Sequence, residues 1–247
     1  KDGDGIMQIH TYDTAAQVGQ AAAILIGAQL LQKPDSVLGL ATGSSPIPTY
    51  RELIRLYQAG VLDFSHATTF NLDEYCQLPA EHPCSYRYFM RQELFDHVNL
   101  PAERTHIPDG NAPDLEGECA RYDRKIAEAG GIDLQLLGIG RNGHIGFNEP
   151  SDQFVYGCHV VALTKSTIEA NRRFFDREED VPRRAVSLGV GSIMNAKSVL
   201  LIATGTDKAT AVRKSILEDI DPGTQASILR THPNVIFLLD RAAASRL

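Results

Sequence analysis

Short apolar runs alternate along this chain with segments whose apolar residues recur at helical spacing. Glycine, proline or polar residues bound the runs, which is typical of strands buried in a parallel sheet. The pattern predicts strands at residues 7–12, 37–41, 68–72, 134–139, 158–163, 185–188, 198–203 and 235–240.

The segments between these runs have the periodicity and composition of helices. They predict helices at residues 15–31, 48–59, 85–97, 114–130, 166–175 and 208–220, the fifth opened by a capping box at residues 166–169. Because strands and helices alternate, we expect an α/β fold, a three-layer sandwich around a mostly parallel, Rossmann-like sheet. Residues 7–247 form one domain in this interpretation, and residues 1–6 are expected to be an expression remnant outside the fold.

Polar side chains crowd the loop that follows the fourth predicted strand. Asn142, His144, Asn148 and Glu149 lie there among four glycines, between residues 138 and 150. Open α/β sheets bind ligands beyond the carboxyl ends of their strands. Histidine and glutamate are natural proton-transfer groups, so the loop is a candidate catalytic element.

The same loop permits two other interpretations. Residues 138–143 match G-x-G-x-x-G, but the residues that follow disfavour the helix that a dinucleotide site requires. The next predicted strand also lacks a terminal acidic residue for a ribose. A purely structural glycine turn remains open at this point.

Two other strand–helix junctions have the composition of anion sites. Residues 42–45 read Thr-Gly-Ser-Ser, and residues 204–208 read Thr-Gly-Thr-Asp-Lys. Backbone N–H groups, hydroxyls and the helix dipole all favour an anion there, and Lys208 would otherwise oppose that dipole. A plain strand–helix turn remains the alternative. Asp73 follows the third strand, where it could be a general base or a turn residue.

Composition narrows the class of protein. The 247 residues carry a net charge of −7 with no basic cluster, so we expect neither nucleic acid nor a membrane as a partner. Four cysteines form no C-x-x-C pair, and no apolar run is long enough to span a bilayer. A reducing cytoplasm is the expected location.

Together the segments resemble one known family, the amino-sugar phosphate isomerases. The matching stretches are LGLATGSSP (38–46), FNLDEY (70–75), LLGIGRNGHIGFNEP (136–150), ANRRFFD (170–176) and GTDKA (205–209). Their order and spacing cover the chain from Met7 to Leu247. The resemblance is to the short bacterial glucosamine-6-phosphate deaminases of that family.

The resemblance implies an activity and a set of site residues. Members isomerise and deaminate glucosamine 6-phosphate to fructose 6-phosphate and ammonia, with no cofactor and no metal. Asp73 would take the C2 proton, and His144 would assist ring opening with Asn142 and Glu149 orienting its imidazole. The phosphate would be held by Thr42, Gly43, Ser44, Ser45, Arg173 and Lys208. Residues 151–180 would form a lid.

This chain departs from the family pattern at several positions. Asn142 replaces the aspartate of many members, and its amide oxygen is expected to accept the imidazole N–H without supplying charge. His159 and Val161 stand where the long allosteric members have arginine and lysine, and the chain stops at Leu247. We therefore expect a monomer or small homo-oligomer and no allosteric hexamer.

Two alternatives of the same fold are weighed against the deaminase. A 6-phosphogluconolactonase would share the phosphate loop and a loop histidine, but it needs no base at C2, and Asp73 argues against it. A sugar-phosphate-sensing regulator would need a DNA-binding segment, which the residues before Met7 are too few to supply.

Overall fold

The computed structural model describes residues 7–172, 175, 177 and 180–247, and within them ten strands form two sheets. The strands are β1 (Gln8–Tyr12), β2 (Val37–Leu40), β3 (Thr68–Asn71), β4 (Asp73–Tyr75), β5 (Thr105–His106), β6 (Leu134–Leu137), β7 (His159–Ala162), β8 (Arg184–Ser187), β9 (Ser198–Ala203) and β10 (Val235–Asp240). Seven of them make a fully parallel central sheet in the order β1-β10-β9-β6-β2-β3-β5. The predicted α/β class with a parallel sheet is confirmed.

Helices cover this sheet from both sides. The α-helices of the described residues are α1 (Ala15–Gln32), α2 (Ile47–Gln58), α3 (Tyr86–Glu93), α4 (Leu115–Glu128), α5 (Lys165–Asn171), α6 (Val190–Met194) and α7 (Ala209–Leu217), of which α5 packs away from the central sheet. The chain moves outward from β2 to β3 and β5, then in the opposite direction from β6 to β9 and β10. Right-handed crossovers therefore place α1 and α2, which pack on each other, on one face and α4 and α7 on the other. No helix in the described ranges is long and apolar enough to cross a membrane.

The order reversal falls between β2 and β6, the middle of the sheet. Asp133, just before β6, ties the amino ends of these strands together. Its carboxylate accepts hydrogen bonds from the Val37 N–H at 2.8 Å, Lys33 Nζ at 2.6 Å and Lys197 Nζ at 2.7 Å. Burial raises the pKa of Asp133, but these donors outweigh burial and leave it lowered. The carboxyl ends of the strands lie at the opposite edge of the sheet, where the connecting loops begin.

A second, antiparallel sheet of three strands, β4-β8-β7, was not predicted. The predicted strands at 158–163 and 185–188 exist, but they pair with each other and with β4 rather than joining the central sheet. The chain changes sheets at Leu72, whose N–H donates to Leu40 O while its carbonyl accepts from the Leu188 N–H. Asp73 is therefore the first residue of a new strand and not a turn residue after β3.

Several predicted helix boundaries differ from the structure; helix α3, for example, ends at Glu93 and not at residue 97. Two of the differences have a clear physical reason. Helix α5 is capped by Thr164, whose hydroxyl accepts the Thr167 N–H, so the capping box at 166–169 does not form. Helix α7 ends at Leu217 and not at residue 220. Glu218, Asp219 and Asp221 oppose the helix dipole at a carboxyl terminus, and Pro222 disfavours helix just before it.

Candidate active site

Four neighbouring strands of the central sheet, β9, β6, β2 and β3, end at the same edge. Residues 204–208, 138–150 and 42–45 follow the first three, and Asp73 lies two residues beyond β3. This edge includes the switch point between β2 and β6, where open α/β sheets bind ligands. The fold thus gathers the sequence motifs that the linear chain separates by more than a hundred residues.

The loop after β6 carries a histidine paired with a carboxylate. His144 Nδ1 lies 3.5 Å from Glu149 Oε2, which is ion-pair distance but long for a hydrogen bond. Nδ1 is buried and has no closer partner among the described residues. The side chain of His144 is 23% exposed and that of Glu149 only 6%, so the imidazole forms the open end of the pair.

Glycines set the position of the imidazole. No helix follows β6; the chain coils through turns, with Gly143 at φ 86° and Gly146 at φ 57°. The imidazole lies directly over Gly140, where a Cβ would come within 2.4 Å of His144 Cε1. The sequence expectation that these glycines do not open a dinucleotide-binding helix is confirmed.

Asn142 contacts Glu149 and the loop backbone rather than the imidazole. Its Nδ2 donates to Glu149 Oε2 at 2.8 Å, and its Oδ1 accepts the backbone N–H of His144 at 3.2 Å. This geometry differs from the expectation that the amide oxygen accepts the imidazole N–H. The side chain supports the carboxylate from one side and fixes the loop from the other.

Thr167 completes the surroundings of Glu149, and sequence reasoning missed it. Its hydroxyl donates to Glu149 Oε1 from α5, eighteen positions along the chain. Burial raises the pKa of Glu149, but the nearby imidazole of His144 and the hydrogen bonds from Thr167 and Asn142 outweigh burial and leave it below its usual value. No sequence signal pairs a helix threonine with a loop glutamate at this separation.

Asp73 presents a buried carboxyl with no hydrogen-bond partner in the described part of the chain. It is 6% exposed and lies across from Ser187 on β8. Burial, and secondarily the charge of Glu74, raises the pKa of Asp73 to about 8. A Cβ on Gly146 would come within 3.5 Å of Asp73 Oδ2, so this carboxyl adjoins the loop that carries His144.

The phosphate loop predicted at residues 42–45 leads into a helix without a side-chain cap. Helix α2 begins after Pro46, and no side chain bonds its first N–H groups. Gly43 has φ 95° and open space around its Cα, while Ser44 is exposed and Thr42 and Ser45 are half-buried. Uncapped N–H groups beside free hydroxyls are what an anion requires.

Lys208 comes from the other side of the 138–150 loop. It ends a 3-10 turn that leads into α7, again without a side-chain cap. Asp240, at the end of β10, accepts the Gly205 N–H at 3.0 Å and thereby holds the turn. Asp207 lies 4.0 Å from Lys208 Nζ and accepts a hydrogen bond from Arg141 Nε at 2.9 Å, which joins the two loops.

Arg173, the remaining predicted phosphate ligand, lies outside the described residues. Asp73, His144, Glu149 and Asn142 are brought to one edge of the sheet, as are residues 42–45 and Lys208. Among the described residues, no group of three or more histidine, cysteine, aspartate or glutamate side chains could hold a metal ion.

Similarity to known proteins identifies the family of this chain. Residues 11–234 match the family described as glucosamine-6-phosphate isomerases/6-phosphogluconolactonase. The chain belongs to this family. A glucosamine-6-phosphate deaminase from Halothermothrix orenii is 50% identical over 241 residues, covering 98% of this chain and 100% of the relative.

Solved structures of family members share the architecture. A monomeric glucosamine-6-phosphate deaminase superposes with a TM-score of 0.95 at 45% identity, over 98% of this chain and 100% of that one. A 6-phosphogluconolactonase from Trypanosoma cruzi gives 0.78 at 20% identity, over 99% and 98%. The second likeness shows the fold alone, so the chemistry must be argued from the site.

Proposed function

We propose that this protein converts glucosamine 6-phosphate to fructose 6-phosphate and ammonia. The observation that carries this proposal is Asp73, a buried carboxyl without a hydrogen-bond partner among the described residues, beside the loop of His144. A carboxylate in that state is suited to take a proton from carbon. Lactone hydrolysis requires no such group, and the relative with half of its residues in common is a deaminase.

Ring opening is the first step that the site would assist. A neutral imidazole can accept the proton of the C1 hydroxyl and return one to the ring oxygen, which frees the C1 aldehyde. His144 is the partly exposed member of its pair with Glu149, and Glu149 carries the negative charge that stabilises the transient imidazolium. Asn142 holds Glu149 for this task.

Isomerisation is the step assigned to Asp73. Its carboxylate removes the C2 proton, the electron pair forms a C1–C2 double bond, and the aldehyde oxygen becomes a hydroxyl. The proton returns to C1 while the nitrogen loses one, which leaves an imine at C2. Water then adds to C2 and ammonia departs, so one water is consumed. The protonated amino group of the substrate, next to C2, would favour the ionised form of Asp73 despite burial.

Thr42, Gly43, Ser44, Ser45 and Lys208 are the proposed phosphate ligands, with Arg173 a further one that rests on the family pattern. Uncapped N–H groups of α2 and the ammonium of Lys208 support this assignment. Charge-assisted hydrogen bonds to a phosphate are stronger than neutral ones, so this grip would supply most of the substrate affinity.

Three further features belong to the proposal. We infer a monomer, supported by the similar deaminase that is monomeric. A cytoplasmic location suits the four free thiols. Residues 151–180 are proposed to close over the substrate, and hydrogen exchange across residues 151–172 with and without fructose 6-phosphate would measure that motion.

Ammonia release distinguishes the candidate activities. The purified protein is given glucosamine 6-phosphate, and ammonia is measured with a coupled enzyme; 6-phosphogluconolactone is offered in parallel. The proposal expects ammonia at a rate proportional to protein and no lactone hydrolysis above the spontaneous rate. Lactone turnover without ammonia release would show that the protein is a lactonase and not a deaminase.

A further inference from the structure

Glu149 is held at both carboxylate oxygens, and each oxygen has a different partner. Oε2 accepts a hydrogen bond from Asn142 and faces His144. Oε1 accepts a hydrogen bond from Thr167 and has no other partner among the described residues. Two bonded oxygens fix the plane of a carboxylate, which otherwise rotates about its Cγ–Cδ bond. The orientation of Oε2 toward the imidazole therefore depends on what holds Oε1.

The Thr167 hydroxyl can donate to Glu149 because Thr164, and not Thr167, caps helix α5. The Thr164 hydroxyl accepts the Thr167 N–H at 3.3 Å, which is the capping bond of α5. Thr164 Oγ1 also donates to Thr167 Oγ1 at 3.1 Å, so the Thr167 hydroxyl accepts one proton and donates its own to Glu149. A hydroxyl that accepts a hydrogen bond becomes a better donor.

Both Thr167 and Glu149 are buried, at 6% and 8% exposure. In such surroundings water does not readily replace a missing donor, and a buried carboxylate oxygen without one is costly. Among the described residues, loss of the hydroxyl would leave the Glu149 carboxylate with contacts at Oε2 alone, so that it could turn away from His144.

From this geometry we infer that Thr167 is a positioning residue for catalysis, acting through Glu149 on His144. The inference rests on the proposed function, because it assigns Thr167 a part in ring opening. Among the described residues, the hydrogen bonds of the Thr167 side chain run to Thr164 and Glu149, and not to residues 42–45 or to Asp73. Its effect is on turnover rather than on substrate affinity.

The test compares Thr167→Val, which keeps the shape and removes the hydroxyl, with Thr167→Ser, which keeps the hydroxyl. With glucosamine 6-phosphate, the valine variant should lose about ten- to a hundredfold in kcat, as expected for a hydrogen bond to a charged group, with KM within about twofold of the parent. The serine variant should recover most of the lost turnover. A valine variant with parental kcat, or a serine variant equally impaired, would overturn the inference.

Thr164→Ala is the control for loosening of α5, because it removes the cap, and with it the bond that Thr164 donates to Thr167 Oγ1, but leaves the Thr167 hydroxyl in place to donate to Glu149. It should lower Tm while keeping most of kcat. Equal losses of kcat in Thr164→Ala and Thr167→Val would assign the effect to helix stability and overturn the inference.

The imidazole signals of His144 separate this inference from the proposed function. NMR of ring-labelled protein gives the chemical shifts of the His144 ring without any substrate. These shifts should differ from the parent in Thr167→Val, because the carboxylate facing the ring turns away, and match it in Thr167→Ser. If the parent released no ammonia, the deaminase proposal would fall, whereas unchanged ring shifts in Thr167→Val would refute the coupling of Thr167 to His144.

Discussion

Asp73 and Glu74 are consecutive on β4, yet their carboxyl groups have opposite surroundings. Glu74 accepts hydrogen bonds from the backbone N–H groups of Tyr75, Tyr86 and Arg87, each at 2.9 Å, and so anchors the start of α3. Asp73 has no such donor among the described residues. The strand alternation that separates them leaves one carboxyl structural and the other available for chemistry.

The uncompensated burial of Asp73 predicts a gain in stability when it is replaced. Its folded-state pKa of about 8 lies above the ordinary 3.8, so the fold is increasingly penalised as pH rises between these values. Asp73→Asn removes the penalty. Relative to the parent, its free energy of unfolding should rise by on the order of 3–4 kcal/mol from about pH 5 to about pH 8, measured by urea denaturation.

Glu74→Gln is the matched control for that prediction. An amide nitrogen facing the N–H groups of α3 cannot accept their hydrogen bonds, so this variant should be less stable by roughly 1–3 kcal/mol. If Asp73→Asn destabilised the protein, or if its gain in stability did not change with pH, the Asp73 carboxyl would have partners that lower its pKa.

Much of this fold could be predicted from the pattern of apolar runs. The central strands are fully buried on both faces, so they appear in the sequence as continuous runs between glycines, as at β2 and β6. The loop with His144 and Glu149 was found for the same reason, because a parallel strand presents its following loop to the ligand edge. Asp73 was also found as a residue just beyond a strand.

Contacts that depend on three-dimensional packing were beyond the sequence pattern. Strand β4 has three residues, too few for any periodicity, so the antiparallel sheet is not predictable from the pattern. Strand β5 of the central sheet has only two residues and escapes prediction for the same reason. The pairing of Thr167 with Glu149 could not be predicted from the sequence. Residues 166–169 have the sequence of a capping box, which assigns the start of the helix to residue 166, whereas the cap that forms is Thr164. The support of Glu149 by Asn142 likewise depends on how the loop coils.

Lys208 tests the phosphate site. Lys208→Ala should weaken binding of fructose 6-phosphate by on the order of 1.5–3 kcal/mol, or about ten- to 150-fold in Kd, because a charge-assisted contact is lost. Lys214→Ala is the control, since it removes the same charge from an exposed position on the same helix. Isothermal titration calorimetry gives both affinities. If Lys208→Ala bound fructose 6-phosphate as tightly as the parent, the phosphate site would not include Lys208.

Regulation is predicted to be absent. His159 and Val161, on β7, line a cleft of about 310 Å³ next to Glu149, and no lysine or arginine is among the described residues that line it. A sugar phosphate would find no cation there. Initial rates should follow hyperbolic saturation and should not rise with N-acetylglucosamine 6-phosphate. A sigmoidal curve that the acetylated sugar makes hyperbolic would reveal a working second site.

The proposed mechanism depends most on proton transfer by Asp73, and hydrogen exchange at carbon measures that transfer. Fructose 6-phosphate and ammonium are incubated with protein in deuterated buffer, and the C1 hydrogens are followed by NMR. The parent should exchange one of the two C1 hydrogens through the reverse reaction. His144→Gln should still exchange it through the open-chain form, which needs no ring opening. Asp73→Asn should bind the sugar phosphate and exchange nothing, because an amide cannot accept the proton. Exchange by Asp73→Asn at the parental rate would show that Asp73 is not the base that takes the C2 proton.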